Sequence, residues 1–189
     1  DANGENGALL LEPSRQQLVP FSEYLAVGWT YDNTSVISNS IVSPTGEISA
    51  SKLLDNTTNG LHRMYYITGT SASAHTFSIF FKKGEYSKVE IESLSGVTTN
   101  ITYDLLNGTA TSVGEIEPYG NDWYRCIFPM STTSSSNAIQ IRLVNNSNSS
   151  VFVGTGTSGV HMFGAMLEAG SYATSYIPNH GTSGGVTRA

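Results

Sequence analysis

The stretch "GNDWYRCIF", Gly120 to Phe128, decides how this chain folds. Gly-Asn-Asp is turn chemistry, and the residues after it read as a strand. Side chains of a strand alternate between two faces. Trp123, Arg125 and Ile127 therefore share one side, and Tyr124, Cys126 and Phe128 share the other. One side has to be core, which leaves a tryptophan and an arginine to be explained on either assignment.

The same alternation recurs along the chain. In "AIQIRLV" the apolar face is Ile139, Ile141 and Leu143, so Gln140 and Arg142 look away from the core. In "TFSIFF" it is Phe77, Ile79 and Phe81, with Ser78 and Phe80 outside. "LHRMYYI" puts His62, Met64 and Tyr66 on one side and Arg63, Tyr65 and Ile67 on the other, while "GVHMFGAML" sets Val160 and Met162 against His161 and Phe163. "ITYDLLNGTATSVG" reads as a hairpin turning at Asn107-Gly108. "TFSIFFKKGEYSKVEIESL" reads as two strands hinged at Lys83-Gly84-Glu85. Nine or ten short strands bounded by turns predict an all-β chain, a β-sandwich or a barrel. No helix longer than a turn or two is predicted, and no repeat period appears. One domain over 1–189 is expected, with 1–7 a flexible entry, an irregular closing strap, and 179–189 a flexible tail. "TGTSASAH", "STTSSSN" and "NNSNSS" are expected as loops.

Composition agrees. Of 189 residues 39% are hydrophobic and only 13% charged, and the polar remainder is rich in Ser, Thr, Asn and Gly, residues that serve turns and β surfaces better than helix interiors. A net charge of -6 argues against nucleic acid, which needs a clustered positive surface. No apolar run approaches the ~18 residues of a membrane helix, so no membrane partner is expected. The opening "DANGENG", without Met, reads as the start of a module cut from a longer protein. The lone Cys126 cannot form an internal disulfide and is expected as a buried thiol.

Catalytic constellations are not evident. His62, His75, His161 and His180 do not lie at zinc-ligand spacing from one another or from Cys126. Phosphate-binding and nucleophile-elbow motifs are missing. Carboxylates such as Glu85, Glu90, Glu92, Glu115 and Glu117 are no more than a β protein usually offers, and Glu90 with Glu92 reads as a solvated face. An enzyme is not expected, and no cofactor is required. A structural calcium ion is compatible with the fold class, but no loop supplies an assignable ligand set. Six N-x-S/T sequons, at Asn33, Asn56, Asn100, Asn107, Asn145 and Asn148, follow from the composition.

The non-core faces carry aromatic, Arg, Gln and His side chains. Such residues suit sugars: flat rings cover the apolar C–H face of a pyranose, planar forks reach vicinal hydroxyls, and a rigid sheet keeps the ordering cost low. Trp123, Arg125, Gln140 and Arg142 form the expected central cluster. His62, Arg63, Tyr65, Phe80, Tyr86 and His161 are the flanking candidates. The competing reading packs Trp123 under a loop and pairs Arg125 with a carboxylate, and Trp29 is more readily a core anchor.

The segments "LLLEPSRQQLVPFSEYL", "TFSIFFKKGEYSKVEI", "GNDWYRCIF" and "GTSGVHMFGAMLEAGSYATSYIPNHGTSGGVTRA" resemble a module of bacteriophage tail and virion-associated proteins. That module is a carbohydrate-binding jelly roll, concanavalin-like or galactose-binding-like. The layout is also similar to jelly-roll carbohydrate-binding modules that accompany xylanases and glucanases. The resemblance spans nearly the whole chain. Together with the strand pattern it sets the expected architecture, a β-sandwich of jelly-roll type with two antiparallel sheets. It implies non-catalytic binding of a polysaccharide or cell-surface glycan on a concave aromatic and Arg-lined face. It also implies a parent that is a phage tail protein or a polysaccharide-degrading enzyme, a virion or extracellular setting, and a homo-oligomer formed through the parent virion protein. Gln16-Gln17 stand where such modules usually carry Thr-Asn, and His161 and Phe163 where Tyr and Trp are common. Two other readings stay open: a structural or oligomerisation module of a virion with no glycan ligand, and a polysaccharide lyase or glycosidase.

Overall fold

Sixteen strands, all antiparallel in their pairing, build the protein in a computed structural model that describes residues 12–70, 73–94, 100–131 and 137–188. Sheet I runs in spatial order β10 (Thr109–Ala110), β9 (Ile101–Asp104), β8 (Lys88–Ser93), β13 (Ala138–Val144), β6 (Arg63–Ile67) and β2 (Thr30–Asp32). Sheet II runs β11 (Glu115–Pro118), β12 (Trp123–Ser131), β7 (Ala74–Lys83), β15 (Gly159–Ala169), β4 (Ile48–Asp55) and β3 (Thr34–Val42). Two short pairs complete the set: β1 (Arg15–Gln17) with β16 (Val186–Arg188), and β5 (Asn59–Leu61) with β14 (Val151–Val153). This is a β-sandwich of jelly-roll type. Its strand number exceeds the nine or ten expected because pairs of two to four residues are too short to show alternation.

The turn at Gly120 is as its residues predict. Asn121 and Asp122 adopt φ of 51° and 62°, and the Trp123 amide donates to the Gly120 carbonyl at 2.9 Å. Two successive left-handed residues match the twist of the β11–β12 hairpin. The Asn107-Gly108 turn also forms, joining β9 to β10. The hinge at Lys83-Gly84-Glu85 carries the chain from β7 in sheet II to β8 in sheet I, so those two strands face each other across the core. In β15 the register shifts between Phe163 and Met166, with Gly164 at φ 65°, a conformation that costs glycine least.

The core takes one face from each sheet: Phe77, Ile79, Phe81, Cys126 and Phe128 from sheet II, and Val89, Ile91, Tyr103, Ile139, Ile141 and Leu143 from sheet I. Cys126 is fully buried, and burial pushes its thiol well up from the ordinary range. Trp29 lies in this core, 7% exposed.

The closing segment is a strap, but its last residues are not the flexible tail expected from 179 onward. Asn179 is fully buried, its amide donating to Ser22 Oγ at 2.8 Å, and β16 pairs residue by residue with β1. Gln17 is the rivet. Its Nε2 donates to the carbonyls of Ala165 (2.9 Å) and Ile177 (3.2 Å), and its Oε1 accepts from the amides of Val19 (2.9 Å) and Leu167 (3.0 Å). The expected entry at 1–7 and parts of the loops "TGTSASAH" and "STTSSSN" lie outside the described residues.

At the opposite end Asp55, 1% exposed, holds the turn before β15. Its carboxylate accepts from Tyr86 Oη at 2.7 Å and from the amides of Thr155 (2.8 Å), Gly156 (2.9 Å) and Ser158 (3.2 Å). Burial alone would raise its pKa; these donors outweigh that and hold it below the usual carboxylate range.

Two outcomes are expected. Gln17→Leu orphans four buried backbone groups and lowers stability by about 3 kcal/mol or more in denaturant unfolding. Asp55→Asn removes a pH-dependent contribution. A carboxylate with a depressed folded pKa stabilises above its unfolded value of about 3.9 and loses that stabilisation as pH falls through the folded value. The stability difference between wild type and variant is therefore full at neutral pH and shrinks on acidification below about pH 4.

Candidate functional site

The outer faces of the two sheets differ. On sheet II, Trp123, Phe80, Phe163 and Ala50 form a second buried cluster, packed against Ile41 and Tyr176. Trp123 is 3% exposed, and its indole N–H donates to the Val42 carbonyl at 3.3 Å. Phe80 is enclosed by Tyr119, at 4.8 Å between ring centroids, and by Tyr176 at 5.8 Å. Arg125 is buried too: its Nη2 donates to Ser78 Oγ at 3.0 Å and to the Thr174 carbonyl of the strap at 2.7 Å. Burial lowers its pKa, opposed by Glu117, Glu168 and Tyr119. The strap is anchored over this face by Glu168, which accepts from the Thr174 amide and hydroxyl at 2.8 Å each. His161, half-buried, pairs across strands with Lys82 and Lys52 and meets Ser40 Oγ at 3.2 Å. Its pKa is lowered by burial first and Lys52 second.

Sheet I is built differently. Its outward positions carry Asp32 on β2, Arg63 and Tyr65 on β6, Gln140 and Arg142 on β13, and Glu90 and Glu92 on β8, none of which belongs to either buried cluster. Register sets Arg142 between Arg63 and Glu90, and Gln140 between Tyr65 and Glu92. The side chains then join into one chain. Arg63 binds Asp32 through Nε at 3.1 Å and Nη2 at 3.0 Å, and its Nη1 donates to Gln140 Oε1 at 2.9 Å. Gln140 Nε2 donates to Glu92. Arg142 donates Nη1 to Glu90 at 2.7 Å and Nη2 to Glu92. Asn100 Nδ2 extends the line to Glu90 at 3.2 Å. The Arg63 guanidinium lies 5.7 Å from the centroid of the Tyr65 ring. Ile67, two residues along β6, is 62% exposed.

The expected central cluster is therefore not one cluster. Trp123 and Arg125 face away from the core on sheet II, Gln140 and Arg142 do so on sheet I, and the whole core lies between them. Of the flanking candidates, Arg63 and Tyr65 join Gln140 and Arg142. Phe80 and His161 lie on the sheet II side. His62 is fully buried, with its ring nitrogens against the carbonyls of Asn33 (2.8 Å) and Phe152 (3.1 Å). Tyr86 is 6% exposed, and burial with its bond to Asp55 pushes its pKa up to about 12. Asp32, Glu90 and Glu92 were not among the expected site residues. Only the cross-strand register shows that they hold the two arginines.

Physically, the sheet I face is a set of pre-oriented donors and acceptors beside an aromatic ring. Three carboxylates against two guanidiniums leave it almost neutral. Among the described residues no group of three or more His, Cys, Asp or Glu is placed to hold a metal ion.

No family model matches this sequence, and no curated protein matches it. Solved structures do. A carbohydrate-binding module of family 61 in complex with β-1,4-galactotriose superposes with a TM-score of 0.52 at 8% identity, over 82% of this chain and 99% of that one. The Clostridium thermocellum xylanase 10B modules complexed with xylohexaose give a TM-score of 0.47 at 11% identity, over 87% of this chain and 29% of that one. The enzymatically active domain of tailspike protein 4 from bacteriophage CBA120 gives 0.48 at 12% identity, over 80% and 21%. The chain thus spans about a fifth of the tailspike structure and under a third of the xylanase structure. At such identities the likeness is one of fold, the jelly-roll β-sandwich of carbohydrate-binding modules.

Proposed function

We propose that this chain is a non-catalytic carbohydrate-binding module that lays a glycan along the outer face of sheet I. The observation that carries the reading is the chain of side chains from Asp32 to Glu90 around the Tyr65 ring. The Tyr65 ring offers an apolar surface to the C–H face of a sugar. Arg63 and Arg142 are held in place before any ligand arrives, by Asp32, Glu90, Glu92 and the fully buried Gln140, so little side-chain entropy is lost on binding. Their charges are already matched by Asp32, Glu90 and Glu92, which suits a neutral polymer. A single shallow face of this kind binds weakly, on the order of micromolar to millimolar, and repeated copies on a phage tail or polysaccharide-degrading enzyme supply avidity. That parent and an extracellular or virion setting belong to the same proposal.

A second reading, an oligomerisation module of a virion protein, is favoured by the exposed apolar edge of the β3–β4 hairpin. Ile37, Val42 and Ile48 are 52%, 50% and 65% exposed there. Solution mass separates the two: a monomer at working concentrations leaves the glycan reading standing alone.

The decisive experiment is a glycan array with three proteins. Tyr65→Ala is expected to weaken binding about tenfold, about 1.4 kcal/mol, with melting little changed. Trp123→Ala is expected to lose about 3 kcal/mol of stability or more, as large-to-small changes at buried aromatics do, while its folded fraction binds as wild type. Full affinity in Tyr65→Ala, with binding abolished in folded Trp123→Ala, would move the site to sheet II and overturn the proposal.

A further inference from the structure

Where β6 ends and β7 begins, a cleft of about 400 Å³ opens at the end of the sandwich. Its walls include Gln16, Leu18, Tyr66, Thr68, Thr70 and His75, with the backbone of Gly184 and Gly185 at one side. That volume falls within the range of about 300–1,000 Å³ typical of small-molecule pockets. Every lining side chain is neutral or a histidine.

Two features show that it is built to hold something polar. His75 is 3% exposed, and its Nδ1 is tied to Ser73, at 3.3 Å from Oγ and 3.2 Å from the carbonyl. Its Nε2 has no hydrogen-bond partner among the described residues. Although the residue is buried, this nitrogen is not sealed from water, and a ligand hydroxyl or a water can complete it. Beside it stands Tyr66, half-buried, its ring braced by Trp29 at 5.4 Å between centroids. The hydroxyls of Thr68 and Thr70, 3.1 Å apart, add donors and acceptors on the same wall.

We propose that this cleft is a second saccharide subsite, taking one or two neutral sugar rings. The Tyr66 ring is the platform, and His75 Nε2 with the hydroxyls of Thr68 and Thr70 meets the sugar hydroxyls. The site is separate from the sheet I face and does not rest on it. Tyr65 and Tyr66 are successive residues of β6, so one ring serves the outer face and the other points inward toward the cleft. A chain end or branch would enter the cleft, and a chain interior would lie on the face.

The test is an amide NMR titration of the full chain with the methyl glycosides of glucose, galactose and xylose and with xylobiose and lactose. Saturable shifts are expected at Gly69, Thr70, Gly184 and Gly185 with at least one probe. Tyr66→Ala and His75→Ala abolish them, and Tyr65→Ala leaves them unchanged. Thr70→Val, which keeps the shape and removes one hydroxyl, is expected to weaken the same titration about fivefold, and it serves if either alanine variant fails to fold. Shifts confined to β8 and β13 would support the outer face and sink the cleft. So would the absence of saturation at the four amides with every probe, or persistence of their shifts in folded His75→Ala and Thr70→Val.

Discussion

A sheet with aromatic side chains on both faces must be covered twice. Sheet II is such a sheet: Phe77, Phe81 and Phe128 point into the sandwich, while Phe80, Trp123 and Phe163 point out of it. Left bare, the outer rings would expose several hundred Å² of apolar surface at about 25 cal/mol per Å². The strap after β15 removes that surface from water. It must also bring polar backbone over an apolar floor, and the floor is equipped for this. Glu168 accepts from Thr174, Arg125 donates to the Thr174 carbonyl, and Thr76 donates to the Gly170 carbonyl at 2.9 Å. Arg125 is thus a fastening for the strap: carbonyl and hydroxyl oxygens meet its Nη2 and the carboxylates of Glu117 and Glu168 favour its charge under cover, while its Nε is left without a partner among the described residues.

That covering makes the molecule two-sided. Sheet II is closed by the chain itself, and sheet I faces outward with charged and amide groups bonded to one another, the Arg142 Nε alone among them being buried without a partner among the described residues. Self-satisfaction is what lets Gln140 be fully buried among charged neighbours without penalty. The same feature fixes the geometry any ligand meets, because each fork is held by a neighbour on the next strand.

Alternation in "WYRCIF", "IQIRLV" and "TFSIFF" was enough to divide core from non-core side chains, and the division holds for Cys126, Phe128, Ile139, Ile141, Phe77 and Ile79. Alternation is a property of one strand, however. It cannot say that β12 and β13, consecutive in sequence, belong to different sheets, and so it gathered Trp123 and Arg142 onto one surface. Nor can it see what crosses a sheet: Thr174 and Tyr176 lie about fifty residues from Trp123 in sequence. His62 shows the same limit, since its place on the Met64 side of the strand was readable and its two carbonyl partners were not. Gln17 is the clearest case. Nothing local marks a glutamine as the residue that ties the first strand to the last third of the chain, and the sign that it matters lies in three long-range hydrogen bonds, to Ala165, Ile177 and Leu167.

The antiparallel pairing of Arg15 with Arg188 sets the points where backbone enters and leaves the sandwich side by side. Its hydrogen bonds run perpendicular to the strands. Tension applied between these two points loads them one after another, as in opening a zipper, and not all together in shear. The β1–β16 pair would peel first, and the Gln17 contacts behind it would take the load next. A body tethered by both ends would in this way meet a pull with a soft first yield followed by a stiffer stop.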